Sequence, residues 1–285
     1  MITVIKNQIR CRVNNKSIVW DAFFKSDREK KPLVIFCHGY KGFKDWGSWN
    51  MVAEAFSNQN LFFIKFNFSH NGGTIEDPID FPDLEAFAEN NYTKELTDLE
   101  DVLNFILSEN FQFKNEIDIT NITLIGHSRG GGISIIKASE DKRITKLITW
   151  ASVSDYESRF GSNDEKNEWY KNGVKYVLNG RTKQQMPHNY QFFEDYEANQ
   201  KRLNIQNATR KLNIPFLIIH AVEDPSVKYM EAENLHSWNS NSKLFKIENS
   251  NHVFDASHPW EKDKLPETLN LVVEKSIHFI KNTCS

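Results

Sequence analysis

Residues 2–13 and 17–24 alternate apolar and polar side chains on either side of Asn14 and Asn15, a pair that tolerates the positive φ of a tight turn. The chain therefore opens, by pattern, with an antiparallel hairpin. The pattern then changes to short, continuously apolar runs at 33–37, 61–66, 122–125, 147–151 and 216–219, which suit strands buried on both faces. Between these runs, residues 92–109 place Leu96, Leu99, Leu103, Ile106 and Leu107 at three- and four-residue intervals, the stripe of an amphipathic helix. A second helix is predicted over 227–238, a last short strand over 244–247, and a final helix containing His278. Alternation of this kind predicts an α/β fold: a mainly parallel central sheet with helices on both faces and an antiparallel N-terminal hairpin. Ligands of such sheets bind at the carboxyl ends of the strands, so functional side chains should directly follow strands.

Two stretches break the rhythm: 67–91, rich in Gly, Pro and acidic residues, and 152–213, polar but carrying Trp169, Tyr170, Tyr176, Phe192, Phe193 and Tyr196. Both read as excursions from one domain spanning 1–285, a size that α/β architectures reach without splitting. The aromatic residues of the second excursion either line a pocket or glue the excursion to the sheet. The segment 67–73 follows a strand end and reads as a structured turn.

Charge narrows the partners. With 35 basic and 38 acidic residues the formal charge is −3, which leaves no field to attract nucleic acid or anionic lipid. No stretch approaches the roughly 20 apolar residues of a membrane span, and the first residues have no signal-like apolar core, so a cytoplasmic location is expected. Cys11, Cys37 and Cys284 are too scattered for a disulfide framework or a zinc site and are expected to be reduced thiols. No metal is implied.

The chemistry concentrates where Ile122-Thr-Leu-Ile-Gly126-His127-Ser128-Arg129-Gly130-Gly131 sets Gly-x-Ser-x-Gly between an apolar strand and a segment with helical potential. In a turn that tight, side chains at the two flanking glycines would collide with backbone, while Ser128 is held exposed as a nucleophile. A serine hydroxyl needs a histidine to take its proton, and that imidazole needs a carboxylate to fix its tautomer. In this arrangement acid and base follow the serine in chain order. Asp224, at the end of the strand 214–219 and just before Pro225, is the candidate acid, with Glu223 second. His252, in the loop after the strand 244–247, is the candidate base, with His258 its nearest rival. His220, His236 and His278 fall within a strand and two helices, where structural roles suit them better. Backbone N–H donors for the developing oxyanion are assigned to Arg129, which follows the nucleophile, and to Tyr40, in the loop after the strand 33–37.

Four blocks, His38-Gly39-Tyr40, Gly126-His127-Ser128-Arg129-Gly130-Gly131, His220-x-x-x-Asp224-x-x-Val227 and Asn251-His252-x-Phe254, together resemble bacterial α/β-hydrolases of the dienelactone-hydrolase and cinnamoyl-esterase-like groups. The resemblance implies the α/β-hydrolase fold, cleavage of a small-molecule carboxylic ester through an acyl-enzyme, no cofactor, and a cap inserted after the strand ending near Ala151, over 152–213. A peptidase or thioesterase on the same scaffold is the alternative, and a non-catalytic binding protein a remote one. Ala221 stands where glycine is common after the strand histidine. The serine nucleophile, in place of the cysteine of dienelactone hydrolases proper, favours ordinary esters. The Arg129 side chain either meets an anionic group of the substrate or forms a surface salt bridge.

Overall fold

The computed structural model describes residues 1–12 and 15–283. Asn14 of the predicted hairpin turn and Cys284 lie outside the described residues. Asn15 has φ 58°, the left-handed backbone that asparagine tolerates.

Eight strands form one sheet. In chain order they are β1 (Ile2–Arg10), β2 (Ser17–Lys25), β3 (Lys31–Cys37), β4 (Phe62–Phe66), β5 (Ile117–His127), β6 (Lys146–Trp150), β9 (Phe216–Ala221) and β10 (Ser242–Ile247). They lie side by side in the order β1-β2-β4-β3-β5-β6-β9-β10. β1 pairs antiparallel with β2 and β2 antiparallel with β4, and every other pairing is parallel. The hairpin at one edge and the parallel core are as the apolar pattern predicts. β5 begins earlier than its apolar run, at Ile117, because a register shift between Pro32 and Leu33 lets β3 pair with the polar stretch before Ile122.

The inner strands β3, β4, β6 and β9 are buried on both faces because helices cover both. α3 (Tyr92–Ile106), α4 (Arg129–Glu140), α7 (Ile205–Lys211) and α8 (Tyr229–Trp238) pack on one side, where Leu96, Leu99, Ile133 and Ile136 join the core. α1 (Trp49–Asn58) and α9 (Glu267–Asn282) pack on the other, with Val52, Phe56, Val272 and Val273. The periodic helix at 92 ends at Ile106, capped by Leu107, short of the predicted 109. α8 starts at Tyr229, two residues later than predicted, because Lys228 before it is extended, at φ −62° and ψ 142°.

The excursion at 67–91 carries the short helix α2 (Leu84–Ala88). The one at 152–213, between β6 and β9, is ordered throughout. It holds α5 (Asn163–Asn172), a separate two-stranded antiparallel sheet of β7 (Val174–Leu178) and β8 (Gln185–Asn189), and α6 (Gln191–Asn199), then ends with α7 on the body of the fold. Among the described residues no helix is long and apolar enough to cross a membrane.

Candidate active site

β5 ends at His127 and α4 begins at Arg129, which leaves Ser128 alone to make the turn, at φ 56° and ψ −121°. A non-glycine residue adopts this conformation at a cost of about 1–3 kcal/mol. The surroundings enforce it. A Cβ on Gly126 would sit 2.3 Å from the Gly130 carbonyl oxygen, and one on Gly130 would sit 2.4 Å from the carbonyl oxygens of Cys37 and His38. The Ser128 N–H donates to Trp150 O at 2.9 Å, tying the turn to β6.

Asp224 lies just past β9, its N–H bonded to Ala221 O. One carboxylate oxygen accepts from the amides of Ser226 (2.7 Å) and Val227 (2.9 Å); the other accepts from His252 Nδ1–H at 2.7 Å. His252 follows β10, and its Nε2 accepts from the Ser128 hydroxyl at 2.9 Å. The tautomer follows from the partners, since an ionised carboxylate offers no proton and Nδ1 must supply one. Ser128, His252 and Asp224 are thus brought together in one hydrogen-bonded line at the carboxyl ends of β5, β10 and β9.

Burial would raise the Asp224 carboxyl, but hydrogen bonds from His220, His252 and the Val227 amide outweigh it and hold the group well below the usual carboxylate range. Glu223, the second candidate acid, points to solvent. His258 is remote from this line: its Nδ1 accepts from the Gly47 amide at 2.8 Å, and its ring packs against Phe43 and Trp46.

Three further histidines support the line. His220 is fully buried, and its Nε2–H points at Val227 O (2.8 Å) with Asp224 Oδ2 at 3.4 Å. His127 donates from Nε2 to the backbone carbonyl of His252 at 2.9 Å. Burial, with His252 beside it, pushes the His127 imidazole down to about 3. His38 donates from Nδ1 to Gly39 O at 2.9 Å and accepts from the Phe68 amide at 3.3 Å; burial pushes it down to about 4. All three act through tertiary contacts. The only sequence signal for them was membership of the four motif blocks.

Gly39 packs so closely on the Ser128 turn that a Cβ there would lie 2.9 Å from Ser128 Cβ. Its carbonyl accepts from both His38 and the Gly42 amide (3.0 Å), and the N–H of the next residue, across a planar trans peptide, faces the opposite way. That N–H belongs to Tyr40. The amide of Arg129, first in α4, has no partner within its own helix.

The Arg129 side chain makes no surface salt bridge, which corrects one of the two readings of it. It is buried and pairs with Glu95 through Nε (3.0 Å) and Nη2 (2.9 Å), with its guanidinium over the rings of Tyr92 and Phe192. Burial pushes the Glu95 carboxyl up, only partly offset by Arg129 and by the Asn90 amide.

A cavity of about 500 Å³ opens over Ser128 and His252, walled by Tyr92, Tyr156, Phe160 and Phe192. Tyr156, Phe160 and Phe192 come from the 152–213 excursion, whereas its Trp169 and Phe193 pack away in the core.

The family model described as alpha/beta hydrolase fold matches residues 82–256, more than half of the chain. The chain belongs to the α/β-hydrolase family. Among solved structures this hydrolase is similar to Est1E from Butyrivibrio proteoclasticus with ferulic acid bound, at 20% identity and TM-score 0.74 over 96% of this chain and 98% of that one. It is also similar to the esterase domain of a Rhodothermus marinus protein (16%, TM-score 0.58, 88% and 90%). A third is a putative dienelactone hydrolase from Klebsiella pneumoniae subsp. pneumoniae MGH 78578 (12%, TM-score 0.62, 99% and 100%). At these identities the likeness is one of fold. No curated protein matches the sequence of this hydrolase.

Proposed function

We propose that this hydrolase cleaves a carboxylic ester through an acyl-enzyme on Ser128, with His252 as general base and acid and Asp224 orienting it. The observation that carries the reading is the unbroken relay from Asp224 Oδ2 through His252 to the Ser128 hydroxyl, at 2.7 and 2.9 Å. As Ser128 Oγ bonds to the ester carbonyl carbon, its proton passes to His252 Nε2 and the carbonyl π electrons move onto oxygen. The amides of Tyr40 and Arg129 receive that oxyanion, each worth about 3 kcal/mol in favourable sites. Collapse breaks the bond to the alcohol oxygen, which leaves with the proton from Nε2. Water, deprotonated by the same nitrogen, then attacks the acyl carbon and releases the acid and the Ser128 hydroxyl.

The aromatic walls support an ester with an apolar or aromatic body, since most ligand sites combine such walls with a few polar groups. That one structural neighbour has ferulic acid bound accords with this choice. In this reading the excursion 152–213 is a cap that supplies one wall. Turnover of p-nitrophenyl butyrate tests the proposal: Ser128→Ala should lower kcat by about 10⁴-fold or more, and unchanged turnover in that variant would refute it.

A further inference from the structure

The walls of the cavity are uneven in charge. Lys41, Arg129, Arg159 and Lys175 line it and, among the described residues, no Asp or Glu does, in a chain that is acidic overall. Two of these cations are neutralised from behind, Arg129 by Glu95 and Arg159 by Glu231. Lys41 and Lys175 are different. Neither has a carboxylate within ion-pair distance of 4.0 Å among the described residues; Lys175 lies 3.8 Å above the Trp169 ring and Lys41 5.1 Å above the Tyr40 ring, with Glu165 the acid that Lys175 feels from farther off. Both are half-buried, and burial lowers both below the ordinary lysine value.

The two are held toward one place. Lys175 is the cross-strand partner of His188, so their side chains share a face of the small sheet. The His188 Nε2 hydrogen-bonds the Tyr40 hydroxyl at 2.7 Å, and Tyr40 precedes Lys41. Burial pushes the His188 imidazole down to about 3, aided by Arg129, Lys175 and Lys41 together, so this neutral ring sits where their fields overlap. Its Nδ1 is buried with no hydrogen-bond partner. Lys41 also has φ 53° in the turn closed by the Gly42 amide on Gly39 O, a backbone conformation that favours glycine. A lysine held there against its backbone preference, without a counterion, in the wall of the substrate cavity, calls for an anion from outside.

We propose that the ester taken by this site bears a carboxylate, remote from the bond cleaved, held between Lys41 and Lys175 at the rim of the cavity. The inference rests on the reading of Ser128 as an ester-cleaving nucleophile and names its substrate class. Anionic esters gain charge-assisted hydrogen bonds to two ammonium groups already partly stripped of water; neutral esters leave those groups without a counter-ion.

The test compares matched esters on the full chain. The mono-p-nitrophenyl ester of adipic acid is set against its methyl ester for an acyl-side charge, and m-carboxyphenyl butyrate against its methyl ester for an alcohol-side charge. One pair should show kcat/KM about tenfold higher for the anion, and Lys41→Met or Lys175→Met should each reduce that ratio about fivefold, with Lys→Arg retaining it. Lys41→Gly, which suits φ 53°, should lose the preference with no loss of thermal stability. No preference in either pair, or a preference that survives in the Lys41→Met/Lys175→Met protein, overturns the inference while leaving the esterase reading intact. Binding of the same esters to Ser128→Ala, followed by calorimetry, separates the opposite case. Tighter binding of the anion without any turnover by the unaltered protein upholds the lysine subsite and ends the esterase reading.

Discussion

His127 donates a 2.9 Å hydrogen bond from Nε2 to the backbone carbonyl of His252, so the residue before Ser128 fixes the main chain of the proposed base. The imidazoles lie 4.8 Å apart, and burial keeps His127 neutral, so it positions His252 without competing for the Ser128 proton. His127→Ala should lower kcat about tenfold with little change in KM, because a loosened base misplaces proton transfer more than substrate binding. His127→Gln, which keeps a donor, should recover part of the loss. An unchanged kcat in His127→Ala would show that the loop after β10 holds the base unaided.

The conformation of Ser128 gives a stability test that is independent of catalysis. At φ 56° and ψ −121°, glycine is favoured over any residue with a Cβ. Ser128→Gly and Ser128→Ala both lose the hydroxyl, but the glycine protein should be the more stable by about 1 kcal/mol, a Tm roughly 2–4 °C higher. Thermal unfolding of the two proteins side by side decides it, and a more stable alanine variant would mean that the turn is not strained.

Glu95 and Arg129 are both buried, so removing either leaves an uncompensated charge beside the nucleophile. Glu95→Gln and Arg129→Met should each cost about 3 kcal/mol of stability, and the double change less than the sum of the two. Denaturant unfolding of the four proteins in this cycle measures the coupling. Additive losses would show that the pair contributes nothing as a pair.

Acid should unfold this protein through its buried histidines. Burial pushes His38 and His70 down to about 4, and His127 and His188 down to about 3, each from an ordinary value of 6.5. Below pH 6.5 the unfolded chain then binds more protons than the folded one. The stability linked to these groups is complete above pH 6.5 and is lost as pH falls toward 4 and 3. Asp98, which burial pushes up to about 7, opposes this with one proton, its contribution being lost as pH rises toward 7. Four histidines against this carboxyl predict a net uptake of about three protons on unfolding at pH 5. The slope of unfolding free energy against pH gives this number, and a flat or falling profile between pH 5 and 6.5 would contradict the assignment.

The parallel core and the Gly-x-Ser-x-Gly turn were legible because their signals are local. Short continuous apolar runs recurring between helical stretches suit strands covered on both sides, and two glycines around a serine mark a turn without room for side chains. The positions of Asp224 and His252 followed from the rule that sites gather at strand carboxyl ends. The supporting histidines were not legible, since what His127, His220 and His38 do depends on carbonyls distant in sequence or on a loop fold. The β7–β8 hairpin was missed because Gln185–Asn189 is largely polar and contains Pro187, which reads as a break rather than a strand. The reading of the Arg129 side chain as a surface group failed for the same kind of reason: its acid, Glu95, comes from a helix more than thirty residues away, and its cover, Phe192, from the excursion.

The central claim is that Ser128 carries the acyl group during turnover. Rapid acid quench of the protein with excess p-nitrophenyl butyrate, followed by intact mass and peptide mapping, tests it most directly. The account predicts a single butyryl increment located on Ser128, absent from Ser128→Ala and accumulating in Asp224→Asn, where deacylation slows. Ester hydrolysis with no adduct under any quench time, or an adduct on a different residue, would contradict it.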